Sequence, residues 1–407
     1  MAAVSGSSLN IQHSLSRDSG RSVLRFLIRP DSCFHVHHLI PVSIHESVFP
    51  DRLDTRLCEA LRSRRIDPKF HYLTPKQARA WLALARGYSP FLSNPNGPRE
   101  YDSAYQWTLE RLSSKSVHLL SLACGGAHKE THLIGALARM GRTVRVTITD
   151  ASLALVLTAY RAIGEFDNVT GLHAIVCDIM DMENPTEILA HDDFAETVRI
   201  LTCFGLLPNV DPRALAMRLA RLLRKGDVLL TSANLASGQD YERSVHALCG
   251  QYDNPATREW LSLLLFDAGF ERDDGEILFR VVPCTGLPDL LQIAAVFRTV
   301  RARTIRWGNE EIAVSAGDEF HLFFSNRYTS ALVRRVFNMH GMSILQQWIS
   351  AESNEGVFAA TLAEESEKGG SYNQQGMADQ ADSEGRLCQS ASPRPSGATR
   401  CSRSPPP

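Results

Sequence analysis

The turn Leu122-Ala123-Cys124-Gly125-Gly126-Ala127-His128-Lys129 is the first stretch of the chain whose residue types have chemical meaning. Small side chains let a backbone approach a ligand closely, and free N–H groups at a helix start favour anionic or polar groups. A Gly-Gly turn is also the ordinary way to make a tight connection. Two acids add to it. Asp150 stands about 20 residues beyond Lys129, the spacing at which a carboxylate at a strand end accepts both hydroxyls of a ribose. Asp178 closes the next apolar run, placed to receive the amino group of adenine. A pyrophosphate cofactor would require the full G-x-G-x-x-G turn, and this chain has only Gly125 and Gly126. The pattern therefore suits adenosine without a phosphate. The plainer role for either aspartate is a helix N-cap. No Ser-His-Asp or Cys-His set accompanies these residues. Cys124 reads as a small buried residue and His128 as a helix-start residue rather than as nucleophile and base.

The elements that must position them follow a regular alternation. Strands are expected at Val117–Ala123, Thr143–Thr149, Leu172–Cys177, Val198–Cys203 and Asp227–Thr231. Helices are expected between them at Lys129–Met140, Leu153–Ile163 and Pro212–Arg224, the last with proline in its first turn. Strand alternating with helix over this length calls for a parallel sheet with helices on both faces. An amphipathic helix, Pro75–Arg86, precedes this core, and helices near Tyr241–Leu248 and Asn254–Ala268 follow it. Further strands are expected at Leu291–Arg298, Glu319–Phe324, Ser343–Ile349 and Gly356–Thr361, with a helix at Ser330–His340. The expected organisation is a cofactor-binding core over about 104–235 and 289–363, with a smaller lobe from about 60–100 and 236–288. Residues 1–20 are polar and small, and residues 364–407 are rich in Gly, Ser, Gln and Pro, compositions that bury no core.

Composition narrows the function class. The 407 residues carry a formal net charge of −2, which gives no overall pull towards nucleic acid or an anionic membrane. No apolar run approaches the roughly 20 residues that span a bilayer, and the start lacks a secretory h-region. The nine cysteines include no C-x-x-C pair, which fits reduced thiols in the cytoplasm and argues against a structural zinc. His35, His37 and His38 form a small cluster that reads as surface strand or loop sooner than as a metal site.

On these motifs the chain resembles the histidine-specific methyltransferase family, typified by the histidine Nα-methyltransferases of ergothioneine synthesis, over most of residues 60–362. The family's Leu-Gly-Ser-Gly-Thr-Ser-x-Lys turn is matched by Leu122–Lys129, with Ala123 at the first glycine and the lysine kept. The resemblance implies a class I methyltransferase fold, Rossmann-like and α/β, with S-adenosylmethionine as cofactor. Tyr72 (in Lys69-Phe70-His71-Tyr72), Ala123, Gly125, Gly126, Lys129, Asp150 and Asp178 would then contact the cofactor. Tyr88, Asn209 (in Pro208-Asn209-Val210-Asp211-Pro212) and Tyr252 (in Gln251-Tyr252-Asp253) would contact a small-molecule acceptor, an amino acid or related amine. In the family, a Glu-x-Ser pair holds the substrate imidazole. Here Phe323 and Ser325 occupy those positions, which removes a charge-assisted hydrogen bond and turns the expectation away from histidine. Methyl transfer from a sulfonium needs alignment and exclusion of water more than covalent help, so no certain catalytic residue is expected. Two other readings remain at this point: a non-catalytic relative that serves as a binding module, and a nicotinamide-dependent oxidoreductase.

Overall fold

The computed structural model describes residues 39–93, 98–189, 198–236 and 240–364. The two expected tails beyond these limits and the cluster His35, His37, His38 fall outside the described residues. From Val42 onward the strands in chain order are β1 (Val42–Ile44), β2 (Ser116–Leu122), β3 (Thr143–Asp150), β4 (Val169–Val176), β5 (Val198–Cys203) and β6 (Val228–Asn234). They continue as β7 (Gly275–Cys284), β8 (Leu287–Thr299), β9 (Arg303–Trp307), β10 (Glu310–Val314), β11 (Glu319–Arg327), β12 (Met342–Ile349) and β13 (Glu355–Leu362). An eight-stranded sheet runs in the order β1-β4-β3-β2-β5-β6-β13-β12. Every neighbouring pair from β1 to β6 in that order is parallel, and β13 and β12 close the sheet antiparallel. This is the doubly wound α/β sheet expected of a class I methyltransferase core.

Alternation along the strands explains why helices cover both faces. Val117 and Leu119 of β2 join one buried cluster, with Leu133, Ile134 and Leu137 of the helix His128–Arg139 and Val156 and Ile163 of the helix Leu153–Gly164. Leu120 and Leu122 point the other way, into a cluster with Leu215 and Leu219 of the helix Pro212–Leu222 and Val333 and Phe337 of the helix Ser330–Asn338. A period of two on the strand thus meets a period of about 3.6 on the helices.

Beyond β2 the chain passes through a helix to β3 on one side. After β4 it returns to β5 on the other. That reversal is the topological switch point, where the strand ends leave a crevice for a ligand.

The structure corrects the expected return to the sheet at residue 289. Strands β8 and β11 instead build a separate three-stranded antiparallel sheet, β11-β8-β7, accompanied by the hairpin β9–β10. Only β12 and β13 rejoin the main sheet. A hydrophobic alternation identifies a strand but not its partner, and β8 pairs with β7 because they are joined directly by a short turn. The smaller lobe packs Phe297 of β8 and Phe320 of β11 against Trp260 and Leu264 of the helix Pro255–Asp267 and Leu61 of the helix Pro50–Ser63. It therefore also draws on residues outside the expected limits, among them Leu57 and Cys58 before residue 60 and Phe297, Phe320 and Phe323 beyond residue 288. A second correction is local. Ala123 was expected to end the first core strand, but its φ of 53° takes it out of β2 and into the loop.

Among the described residues no helix is long and apolar enough to cross a membrane. Nor does any group of three or more His, Cys, Asp or Glu among them form a metal site.

Candidate functional site

The loop after β2 alternates left-handed residues: Ala123 at φ 53°, Gly125 at 52° and Ala127 at 55°. This path turns successive N–H groups to different partners. The Cys124 N–H donates to the Thr149 carbonyl at 2.9 Å, and the Gly125 N–H to Asp150 Oδ2 at 3.0 Å. The other Asp150 oxygen accepts from the Ser152 N–H at 2.9 Å. The helix that follows is capped by Ser152, whose side chain accepts from the Leu155 N–H, so Asp150 is not its N-cap. Asp150 ties the end of β3 to the loop, and burial pushes its carboxyl up to about 6 despite those backbone donors. A Cβ on Gly125 would stand 2.9 Å from the Trp81 ring, and one on Gly126 would stand 3.0 Å from His128 and 3.1 Å from Leu82. Gly125, left-handed and beneath Trp81 of the helix Pro75–Tyr88, is the position where a side chain would be both strained and crowded.

That helix is set by a capping box between Thr74 and Gln77 and by proline in its first turn. The turn Pro68–His71 before it brings Lys69 to the end of β4. There Lys69 Nζ donates to Asp178 Oδ2 at 2.6 Å, and both side chains are about one-tenth exposed. The other Asp178 oxygen accepts from the Met180 N–H at 2.9 Å. Asp181 nearby is held by Arg52 at 3.0 Å and Arg56 at 2.7 Å. Asp67 completes this acidic end, its carboxyl raised by burial and its charge felt by Lys69 and Asp178.

At the opposite side of the loop the Lys129 ammonium is enclosed by aromatic rings. Its Nζ lies 4.6 Å from the Tyr101 centroid, 5.6 Å from Phe204 and 5.8 Å from Phe91. It donates to the Tyr101 hydroxyl and sits 3.4 Å from Glu355, to which that hydroxyl donates at 2.6 Å. Glu130, one residue on, is buried and accepts from Ser121 of β2 and Thr202 of β5 at 3.0 and 3.1 Å. It bridges the two strands at the switch point, and burial raises its carboxyl.

The loop Ala123–Glu130, Asp67, Lys69, Asp150, Asp178 and Asp181 line one cavity of about 790 Å³. Of the residues singled out in the sequence, Tyr72, Tyr88, Ala123, Gly125, Gly126, Lys129, Asp150, Asp178 and Asn209 all face it. Tyr72 is packed edge-on against Trp81 at 5.6 Å, and burial raises its hydroxyl. Asn209 is anchored by a 2.9 Å bond from its amide to the Gly205 carbonyl. Cys124 also lines the cavity, and burial drives its thiol well above the ordinary range, so it is no thiolate nucleophile. His128 opens its helix as expected.

Tyr252, Phe323 and Ser325, also singled out in the sequence, lie outside the lining of this cavity. On β11 it is Phe324 that faces it, and strand alternation turns both neighbours away. Phe323 packs in the lobe core against Trp260, with ring centroids 5.5 Å apart. The Ser325 hydroxyl accepts from the Tyr252 hydroxyl and from Asn234, each at 2.9 Å, while Arg327 donates to Tyr252 at 2.6 Å. The three form or buttress a structural joint behind the wall. Sequence reasoning missed Lys69, Trp81, Phe91, Phe204 and Phe324 of the lining. Lys69 had a signal, since it lies in the same motif as Tyr72. The aromatic residues come from distant segments and had none.

Carboxylates outnumber cations on the wall: Asp67, Glu130, Asp150, Asp178, Asp181 and Asp211 stand against Arg56, Lys69 and Lys129. Such a wall suits a ligand of net positive charge and opposes a pyrophosphate.

No family model and no curated protein matches the chain. Among solved structures, it is similar to a methyltransferase from Streptomyces caelestis at 12% identity, over 68% of this chain and 99% of that one, with a TM-score of 0.35. It is similar to magnesium protoporphyrin IX methyltransferase from Synechocystis at 11% identity, over 77% and 97%, with a TM-score of 0.35. An amino pentose methyltransferase from Micromonospora echinaspora is similar at 14% identity, over 70% and 96%, with a TM-score of 0.33. At identities and scores this low the activity has to be read from the cavity itself.

Proposed function

We propose that this protein is an S-adenosylmethionine-dependent methyltransferase acting on a small molecule, with an amine as the acceptor. The observation that carries the reading is the arrangement of Asp150 and Asp178 at the ends of adjacent strands, beside the glycine loop that lines the same cavity. Asp150 would hold the ribose, Asp178 and Lys69 the adenine end, and Gly125 and Gly126 the chain that leads to the sulfur. Lys129, on the far side of the loop, would take the carboxylate of the methionine part. The wall's excess of carboxylates supports a cofactor of net positive charge over the nicotinamide alternative.

The cofactor, when bound, would supply an electrophilic methyl on a sulfonium, the acceptor's electron pair forming the new bond to that carbon as its bond to sulfur breaks and the sulfur leaves as a thioether. The protein's part is orientation and exclusion of water. Asn209, fixed on its turn, and Tyr88 on the covering helix stand where an acceptor would be held. The resemblance implies an amino acid, but the cavity supplies only these two of the expected acceptor contacts.

Isothermal titration of the full chain with S-adenosylmethionine tests the reading. Binding in the micromolar range is expected. No heat at millimolar cofactor would sink the methyltransferase reading.

A further inference from the structure

The charges on the acceptor side of the cavity narrow the acceptor further. We infer that it is an aromatic amine that carries no carboxylate, an inference that rests on the methyltransferase reading above and deepens it. With the loop Ala123–Lys129, Asp150 and Asp178 committed to the cofactor, the acceptor has the end bounded by the segments after β5 and β6. That end presents flat and apolar surface: Tyr88 is 54% exposed on the covering helix, and Phe324 faces it from β11. Its polar side chains are Asn209, Asn234, whose amide donates to the Ser325 hydroxyl at 2.9 Å, and the exposed Asp211, which spends Oδ1 on the Ala214 N–H at 2.8 Å.

An amino-acid acceptor would bring a carboxylate into this space, and that charge needs a cation. The three cations of the wall are already engaged. Lys69 is bonded to Asp178 and Arg56 to Asp181, both at the adenine end. Lys129, beside Glu355 and the Tyr101 hydroxyl, is the cation assigned above to the cofactor's own carboxylate. Among the described residues lining the cavity, no cation is left over for the acceptor. The hydroxyls of Tyr252 and Ser325, which the family resemblance assigned to acceptor contact, are bonded to each other. An ammonium or neutral amine meets the opposite situation, with Asp211 to draw it in and aromatic faces to receive it. A planar body stacks on those same faces.

Three matched pairs, each differing by one carboxylate, test the inference: tryptamine with tryptophan, tyramine with tyrosine, and histamine with histidine. Each is titrated calorimetrically into the full chain saturated with S-adenosylhomocysteine. At least one amine should bind, and bind at least tenfold more tightly than its amino acid. Amino acids binding as tightly as their amines would overturn the carboxylate argument, and silence from all six would overturn the aromatic-amine class. Both results leave the methyltransferase reading standing. A chain that takes up no S-adenosylhomocysteine loses that reading and this inference with it. Tyr88→Ala, at an exposed position that folding tolerates, should weaken the best amine about tenfold while leaving S-adenosylhomocysteine affinity within twofold. An unchanged amine affinity in both Tyr88→Ala and Phe324→Ala would place the acceptor elsewhere.

Discussion

At Asp150 the demands of stability and of binding pull in opposite directions. Burial raises its carboxyl from the ordinary aspartate range to about 6, so the folded protein resists ionising it. A raised acid contributes stability that is complete below the unfolded value near 3.9 and is lost as pH rises through about 6. Ribose binding needs the ionised form, because only a carboxylate accepts from two hydroxyls while still holding the Gly125 and Ser152 N–H groups. Affinity for S-adenosylhomocysteine should therefore be flat from pH 8 to 7 and fall steadily below about 6, measured by calorimetry. Asp150→Asn should weaken it about thirtyfold at pH 7, the worth of one charge-assisted bond of about 2 kcal/mol. Profiles that coincide for the two proteins would remove Asp150 from the cofactor site. Ala123 makes a separate point about legibility. In the sequence it reads as a lost family glycine, yet its backbone keeps the left-handed conformation at φ 53°. That conformation costs an L-residue roughly 1–2 kcal/mol. Ala123→Gly should raise stability to urea by about 1 kcal/mol with cofactor affinity preserved. A loss of stability would show that the alanine methyl contributes more in contacts than it costs in strain.

Elements show where the sequence was readable and where it was not. The strands that became β2, β3 and β6 are each followed by a helix, and with β5 they follow a βα alternation from which both their type and their parallel pairing could be read. Strand β7 is half-exposed along most of its length and gave no clean alternation. The helix Arg99–Arg111 is polar in composition, and it is buried through Tyr101, Ala104, Tyr105 and Leu109 only because the sheet offers that face. It is this helix that carries Tyr101 to Lys129, so the aromatic enclosure could not be foreseen from local sequence. The turn Pro68–His71 is the clearest case of an element acting at the site. It places Lys69 among Asp67, Asp178 and Asp181, and removing that cation would leave carboxylates crowded and largely dry. Breaking a buried pair typically costs roughly 3–5 kcal/mol. Lys69→Met should destabilise the chain by an amount near the low end of that range, because the pair is about one-tenth exposed. Lys69→Met combined with Asp178→Asn should recover much of the loss. If the single and double variants unfold at the same urea concentration, the pair is not what holds this end together.

Across the whole molecule the charge is close to balanced, at a formal −2, yet the cavity wall concentrates acid. Balance on the outside and acidity within means that ligand choice is made by the cavity, with little help from long-range steering. The contrast is sharpest between the two adenosine cofactors the sequence leaves open. S-adenosylmethionine brings a sulfonium and no phosphate, whereas NAD brings two phosphates past Asp67, Asp150, Asp178 and Asp181. A ligand that binds only the folded chain stabilises it by about 2.7 kcal/mol at a hundredfold excess over its dissociation constant. For a chain of this size that corresponds to a rise of about 5 °C in the unfolding midpoint. S-adenosylmethionine and S-adenosylhomocysteine should each produce such a rise, and NAD at the same concentration should produce none. The salt dependence separates the causes. If the carboxylates alone exclude NAD, added salt screens the repulsion and a small shift with NAD should emerge near 0.5 M, since screening lengths fall to a few ångströms there. If the glycine cradle also excludes it by shape, with Trp81 lying over Gly125, no shift should appear at any salt. A rise with NAD at low salt that matches the rise with S-adenosylhomocysteine would show that neither charge nor shape selects, and the assignment of this cavity to a methyl donor would fail.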